Sequence, residues 1–248
     1  MVRGPLVVRT IKTLDRTVRA YRDAGETLAL VPTMGALHAG HLALVRRARR
    51  RADRVAVSIF VNPTQFAPTE DFASYPRSFD ADVAALRDQK VDFVWAPPRE
   101  LMYPEGFATT VHVKGPATVD LEDRFRPHFF GGVAIVVAKL FAQCRPDFAV
   151  FGEKDYQQLK TVSRLAADLD LKVDVVGVPT VREKDGLALS SRNVYLSPAE
   201  RAVAPTLYRT LKESAARIAA REPIARVMSE GWLAIEGAGF AVDYFEAR

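Results

Sequence analysis

Apolar residues gather along the chain in short β-branched runs separated by stretches of helical spacing. The runs are Thr27–Val31, Val55–Val61, Val91–Trp95, Phe148–Phe151 and Val173–Val178. Each is brief and nearly continuous, as strands buried on both faces of a parallel sheet are. Between them, Leu42–Ala52, Asp80–Gln89, Val133–Cys144 and Tyr156–Leu169 repeat apolar residues at helical intervals. Alternating strand and helix predicts right-handed crossovers and a doubly wound α/β fold. Arg145-Pro146 should stop one helix, because the residue before proline is pushed out of the helical region, and Asp147 then starts a strand.

After Val178 the texture changes. A polar loop over Arg182–Asn193 leads to Ser197-Pro198-Ala199-Glu200, which reads as a helix start, and then to Ala- and Arg-rich helix. A domain boundary near Thr180 follows, with domains 1–180 and 181–248.

Composition narrows the class without changing this picture. Of 248 residues, 48% are hydrophobic and 26% charged, as in ordinary globular proteins. No apolar run of signal-peptide or membrane-spanning length occurs, so a cytoplasmic location is the expectation, with no membrane partner. The single Cys144 lies in an apolar run and reads as a core residue rather than a reactive thiol. A net charge of +5 is compatible with nucleic acid or with an anionic small molecule. The densest basic cluster, Arg46 to Arg51, follows a helical apolar set and lacks interleaved aromatic residues, so a solvated helix face is favoured over a nucleic-acid patch.

Four clusters carry candidate chemistry. In Pro32–His41 a strand ends, a small-residue turn follows, and a helix begins around His38–His41. Gly35 and Gly40 permit close approach of a ligand, and the free N–H groups of a helix start favour an anion. His38 and His41, three apart, would point from one face toward that anion. Capping histidines and zinc ligands are the rival readings, although no Cys or acidic residue completes a recognised zinc spacing. In Phe151–Gln158, Lys154 offers a positive charge and Gln158 lies one turn on, with a merely solvated lysine as the alternative. In Gly186–Asn193, Ser190, Ser191 and Arg192 would make a mobile triphosphate clamp, or an ordinary Ser-rich turn. In Ser58–Phe66, Asn62 and Gln65 are neutral amides at a strand end, suited to hydroxyl and carboxylate groups or simply to a turn. Neither GxGxxG after the first strand nor GxxxxGK[ST] occurs, which argues against a dehydrogenase or a Walker-type kinase.

Taken together, PTMGALHAGH at Pro32–His41, FVNPTQF at Phe60–Phe66, FGEKDYQQL at Phe151–Leu159 and VPTVREKDGLALSSRN at Val178–Asn193 resemble the pantothenate synthetases, or pantoate–β-alanine ligases. The resemblance implies a Rossmann-like domain, a smaller α+β lid domain and a homodimer. It implies ATP, pantoate and β-alanine as small-molecule substrates, with Mg2+, and a pantoyl-adenylate intermediate that releases AMP and pyrophosphate. By position, Met34, Gly35, Ala36, Leu37, His38, Ala39, Gly40, His41, Gly152, Glu153, Lys154, Asp155, Val181, Leu189, Ser190, Ser191 and Arg192 would surround ATP. Gln65 and Gln158 would hold pantoate, with Gln65 also near β-alanine, and His41 is the implied proton donor.

This chain departs from the family pattern at three places. Arg126-Pro127-His128-Phe129 sets its histidine one position early, Leu189 stands where methionine is usual, and the chain ends at Arg248 where family members continue, which implies an incomplete lid. Two other readings remain. A nucleotidyltransferase acting on a phosphorylated acceptor would want basic residues in place of Asn62, Gln65 and Gln158; a nucleotide- or RNA-binding module would want aromatic residues among the arginines.

Overall fold

A computed structural model describes residues 4–248. The chain divides into two compact units, the first running to Thr180 and the second spanning Val181–Arg248. In the first, the strands are β1 (Leu6–Val8), β2 (Leu28–Thr33), β3 (Arg54–Ile59), β4 (Phe93–Trp95), β5 (Phe148–Gly152) and β6 (Asp174–Val178). Its helices are α1 (Ile11–Asp23), α2 (Ala39–Arg49), α3 (Phe79–Asp88), the single turns α4 (Arg99–Met102) and α5 (Glu122–Phe125), α6 (Phe129–Cys144) and α7 (Tyr156–Asp168).

Among the described residues the strands form one all-parallel sheet in the order β1-β4-β3-β2-β5-β6. From β2 the chain winds outward through β3 and β4, then returns to place β5 and β6 on the other side. That reversal is a topological switch point, where a crevice opens at the carboxyl ends of the strands. The register widens it. Strand β2 pairs with β5 only through Ala29↔Phe148 and Leu30↔Ala149, yet β2 continues to Thr33 and β5 to Gly152. The last residues of both strands therefore diverge.

Both faces of the sheet are buried, which is why the strands read as continuous apolar runs. Leu28 and Leu30 pack with Val18 of α1 and Val137 of α6 on one face. On the other, Ala29 and Val31 pack with Val45 of α2 and Leu86 of α3. Helix α6 is apolar nearly all round and approaches the loop after β3 so closely that a Cβ on Gly132 would strike the Thr64 carbonyl. Cys144 is fully buried at the end of this helix, and burial pushes its thiol up to about 12.

The structure adds β1 and α1, which the apolar pattern does not announce. Strand β1 has three residues at the sheet edge, with only Val8 buried. Helix α1 buries only Leu14 and Val18 and is started by the Thr10 hydroxyl, which accepts from Thr13 N. Helix α2 begins at Ala39, within the His38–His41 start read from the sequence and ahead of the apolar set from Leu42, because His38 caps it.

In the second unit the helices are α8 (Pro198–Val203), α9 (Thr206–Ala219) and α10 (Ile224–Gly237). Its β component, among the described residues, is the isolated antiparallel bridge Arg182↔Ala188. Ser197 and Glu200 close a reciprocal capping box on α8. No helix among the described residues is long and apolar enough to cross a membrane.

Candidate active site

The turn out of β2 is built by side chains that replace the lost sheet partners. Thr33 Oγ1 donates to the Ser58 carbonyl at 2.7 Å and accepts from Gly35 N at 3.2 Å. Gly35 and Ala36 both take positive φ, 87° and 49°, which turns the chain back over the sheet edge. A Cβ on Gly35 would come within 3.1 Å of Asp82 Oδ2 and 3.2 Å of Ile59 Cγ2, so glycine alone fits comfortably. Asp82, 3% exposed on α3, accepts from Ala36 N at 2.9 Å and Leu37 N at 2.8 Å. Ser78 Oγ donates to the same carboxylate at 3.1 Å. Charge-assisted bonds of this kind are strong, and they anchor the loop to α3.

At the start of α2 the two histidines cap each other's backbone. His38 Nδ1 accepts from Gly40 N at 3.1 Å, and His41 Nδ1 accepts from His38 N at 3.3 Å. Their rings lie 4.1 Å apart, centroid to centroid. The N–H groups of His38 and Gly40 are thus already taken by ring nitrogens. Two acceptor Nδ1 atoms leave both imidazoles with their proton on Nε2 when neutral. Burial, the His38 charge and the Lys154 charge push His41 down to about 3. Burial, then Lys154, also lowers His38. The pair is therefore neutral near pH 7, and each ring offers one Nε2–H donor.

Lys154 stands in the turn after β5, on the far side of the switch point, and its charge is felt by both imidazoles. The structure thus brings together residues more than a hundred positions apart in sequence. Gly152, Glu153 and Asp155 flank it, with Asp155 Oδ1 at 3.2 Å from the ammonium. Gln158 is half-buried on the first turn of α7. Its neighbour Gln157 is committed elsewhere, donating to Asp123 at 2.8 Å and Pro116 O at 3.0 Å.

Asn62 follows the turn alternative, its side chain capping the Pro63–Gln65 turn. It is 1% exposed; its Oδ1 accepts from Tyr103 Oη at 2.7 Å and Thr64 Oγ1 at 2.9 Å. Its Nδ2 donates to Gly132 O at 3.0 Å and Gln65 Oε1 at 3.1 Å. Gln65 remains half-buried, its Nε2 lying 3.2 Å from the sulfur of Met34. Arg126 donates to the Gln65 carbonyl at 3.1 Å while pairing with Glu70 at 2.7 Å and Glu122 at 3.0 Å. His128 lies 3.7 Å from Glu70, and its buried Nε2 has no hydrogen-bond partner among the described residues. Sequence reasoning misses Asp82, Tyr103, Arg126 and Gly132 as site residues. Asp82 resembles any acid in a helix's first turns, and Tyr103 lies outside every motif.

In the second unit, Val181 O accepts from Leu189 N at 3.0 Å, so these two residues are neighbours across a short turn. Arg201 ties that turn down through Glu183 at 2.8 Å and Asp185 at 2.7 Å. The Ser-rich segment expected to be mobile forms a 3-10 turn, Ser191–Tyr195, with Ser190 Oγ accepting from Arg192 N at 3.2 Å.

The anchoring by Asp82 can be tested by kinetics. Asp82→Ala strands two half-buried N–H groups and should lower kcat/KM for ATP by about 10–10²-fold, the scale of a slightly misplaced reactive group. Asp82→Asn, keeping one acceptor oxygen, should fall between. Unchanged kinetics in a folded Asp82→Ala protein would mean the loop holds itself.

Acid stability tests the neutral His41. Its folded pKa, about 3, lies below the ordinary 6.5, so the unfolded chain takes up the proton first. The stability this contributes is complete above pH 6.5 and is lost as the pH falls toward 3. Thermal melts should therefore decline more steeply over that window for the wild type than for His41→Asn. Parallel declines would show His41 to titrate as an ordinary histidine.

Similarity to known proteins agrees with this geometry. A family model described as pantoate-beta-alanine ligase matches residues 6–248. Pantothenate synthetase 2 of Bradyrhizobium diazoefficiens is 64% identical over 248 residues, covering 100% of this chain and 88% of the relative. A crystal structure of pantothenate synthetase from Thermus thermophilus superposes with a TM-score of 0.89 at 50% identity, covering 96% of this chain and 85% of that one. The pantoate-beta-alanine ligase of Francisella tularensis, solved with β,γ-ATP and β-alanine, gives a TM-score of 0.82 at 32% identity, over 95% and 87% of the two chains. With a family model spanning nearly every residue and relatives this similar along the whole length, the chain belongs to the pantoate-beta-alanine ligase family.

Proposed function

We propose that His38, His41 and Lys154 are the phosphate-handling centre of an ATP-dependent ligation of pantoate with β-alanine. The observation that carries this reading is the pair of Nε2–H donors held beside a lysine at the switch point. In the first step a carboxylate oxygen of pantoate attacks the α-phosphorus of ATP. The bond from that phosphorus to the α,β-bridging oxygen breaks, and pyrophosphate leaves with the electron pair. In the second, the amine of β-alanine attacks the acyl carbon of the adenylate, the C–O bond to AMP breaks, and the nitrogen loses its proton.

Negative charge grows on the phosphoryl oxygens in the first step. Donors already fixed in a buried site stabilise such charge without reorganising. With its Nδ1 accepting from His38 N, His41 would meet that charge with a hydrogen bond donated from Nε2–H. Met34–His41 and Gly152–Asp155 line ATP, and Gln65 and Gln158 hold pantoate. The second unit acts as the lid, supplying Val181, Leu189, Ser190, Ser191 and Arg192. No group of three or more His, Cys, Asp or Glu among the described residues is placed to hold a metal. The Mg2+ that the resemblance implies would enter with ATP as part of the substrate. A cytoplasmic homodimer completes the reading; light scattering would check the dimer.

Incubating the protein with ATP, Mg2+, pantoate and β-alanine should yield AMP, pyrophosphate and pantothenate in equal amounts. AMP formation that does not depend on pantoate would sink this assignment. The Arg192→Ala variant probes the lid: the rate of adenylation should fall, and AMP should exceed pantothenate as unprotected adenylate is lost to water. A wild-type rate and a ratio of one would make Arg192 a bystander.

A further inference from the structure

Gln65 can face a ligand with its oxygen or with its nitrogen, and the surroundings decide which. Asn62 sets the choice. Its Nδ2 faces the Gly132 carbonyl at 3.0 Å, a group that only accepts. Its Oδ1 faces Thr64 N at 3.4 Å, a group that only donates. Rotating the amide by half a turn would confront like with like at both backbone partners, so Asn62 has one orientation. The hydroxyls of Tyr103 and Thr64 add two donors to the same Oδ1, at 2.7 and 2.9 Å. The remaining Nδ2 hydrogen then goes to Gln65, whose acceptor oxygen lies 3.1 Å away.

We propose that Asn62, locked by Gly132, Thr64 and Tyr103, is a positioning residue that turns the Gln65 oxygen inward and its Nε2 donor outward, and so favours an oxygen acceptor on the acid substrate. This deepens the ligase reading and rests on it. The oxygen of Gln65 is turned inward onto Asn62, and among the described residues its Nε2 meets the soft thioether of Met34, at 3.2 Å. A carboxylate or hydroxyl oxygen is a far better acceptor than that sulfur. The outward Nε2 offers an ammonium no acceptor, so this face of Gln65 suits an oxygen rather than the charged amine of β-alanine. Both ends of Gln65 are held, because Arg126 grips its backbone carbonyl at 3.1 Å.

Two substitutions invert the amide by different routes. In Asn62→Asp the carboxylate can only accept, so Gln65 must turn its Nε2 inward and present oxygen to the substrate. In Gln65→Glu, with Asn62 intact, one carboxylate oxygen takes the Asn62 proton and the other faces the substrate. Each should raise the KM for pantoate by at least about 10-fold, the cost of setting acceptor against acceptor, while the KM for ATP stays within about twofold. A second measurement separates orientation from packing. In the wild type, the side-chain 15N–1H signal of Gln65 should shift on adding pantoate, and in folded Asn62→Asp it should not. Wild-type pantoate KM values in both variants, or a Gln65 signal that ignores pantoate in an active wild-type enzyme, would overturn the inference. Failure of the ligase reading looks different: the wild type itself would make no pantoate-dependent AMP.

Discussion

A backbone N–H that leaves a parallel strand and turns away from the sheet loses its ladder partner, and a buried one must find another. The turn after β2 meets that demand almost residue by residue. Thr33 takes the N–H of Gly35, Asp82 those of Ala36 and Leu37, His41 that of His38, and His38 that of Gly40. Each acceptor is a side chain, so the path of this loop is specified by residue identity rather than by sheet geometry. The histidines are thus capping residues and candidate donors at once. Capping uses Nδ1 and leaves Nε2, so the rival readings of the sequence describe two ends of the same rings.

That arrangement dictates the electrostatics of the crevice. An imidazole whose Nδ1 accepts a backbone N–H can become cationic only by giving up that bond, and burial opposes the charge as well. Both effects keep His41 neutral, as does the neighbouring ammonium of Lys154. The crevice therefore pairs the Lys154 side chain with two oriented neutral donors. Such a set suits the polyanion proposed for it: the lysine would draw it in, and the imidazoles would match oxygens whose charge increases later, without adding a cation that would hold the product equally tightly.

Much of this is legible in the sequence, and the rest is hidden for identifiable reasons. Strands β2 to β6 stand out because both sheet faces are buried, and their ends fall within a few residues of the valine-rich runs. Strand β1 escapes because a three-residue edge with one buried side chain leaves almost no pattern. At the site, residues at strand ends beside glycine are conspicuous, whereas their supports are not. Asp82 reads as a helix-start acid, and Tyr103 and Arg126 lie forty and more residues from Asn62 and Gln65, a proximity that only the sheet creates. Asn62 is conspicuous for the wrong reason. Four filled hydrogen-bond positions mark it as a support for Gln65 rather than a ligand contact.

Those supports approach from opposite faces of the sheet. Asp82 comes from α3, which packs with α2 beneath Ala29 and Val31. Gly132 comes from α6, which packs with α1 beneath Leu28 and Leu30. The loop proposed for the nucleotide is thus indexed to one layer and the amide proposed for the acid to the other, with β2 and β3 between them paired over six residues. In the proposed first step the substrate's own carboxylate is the nucleophile, so the protein's task is to hold two ligands in line. An error in their separation requires the sheet, or one of its two buried cores, to deform, and close-packed interiors resist that.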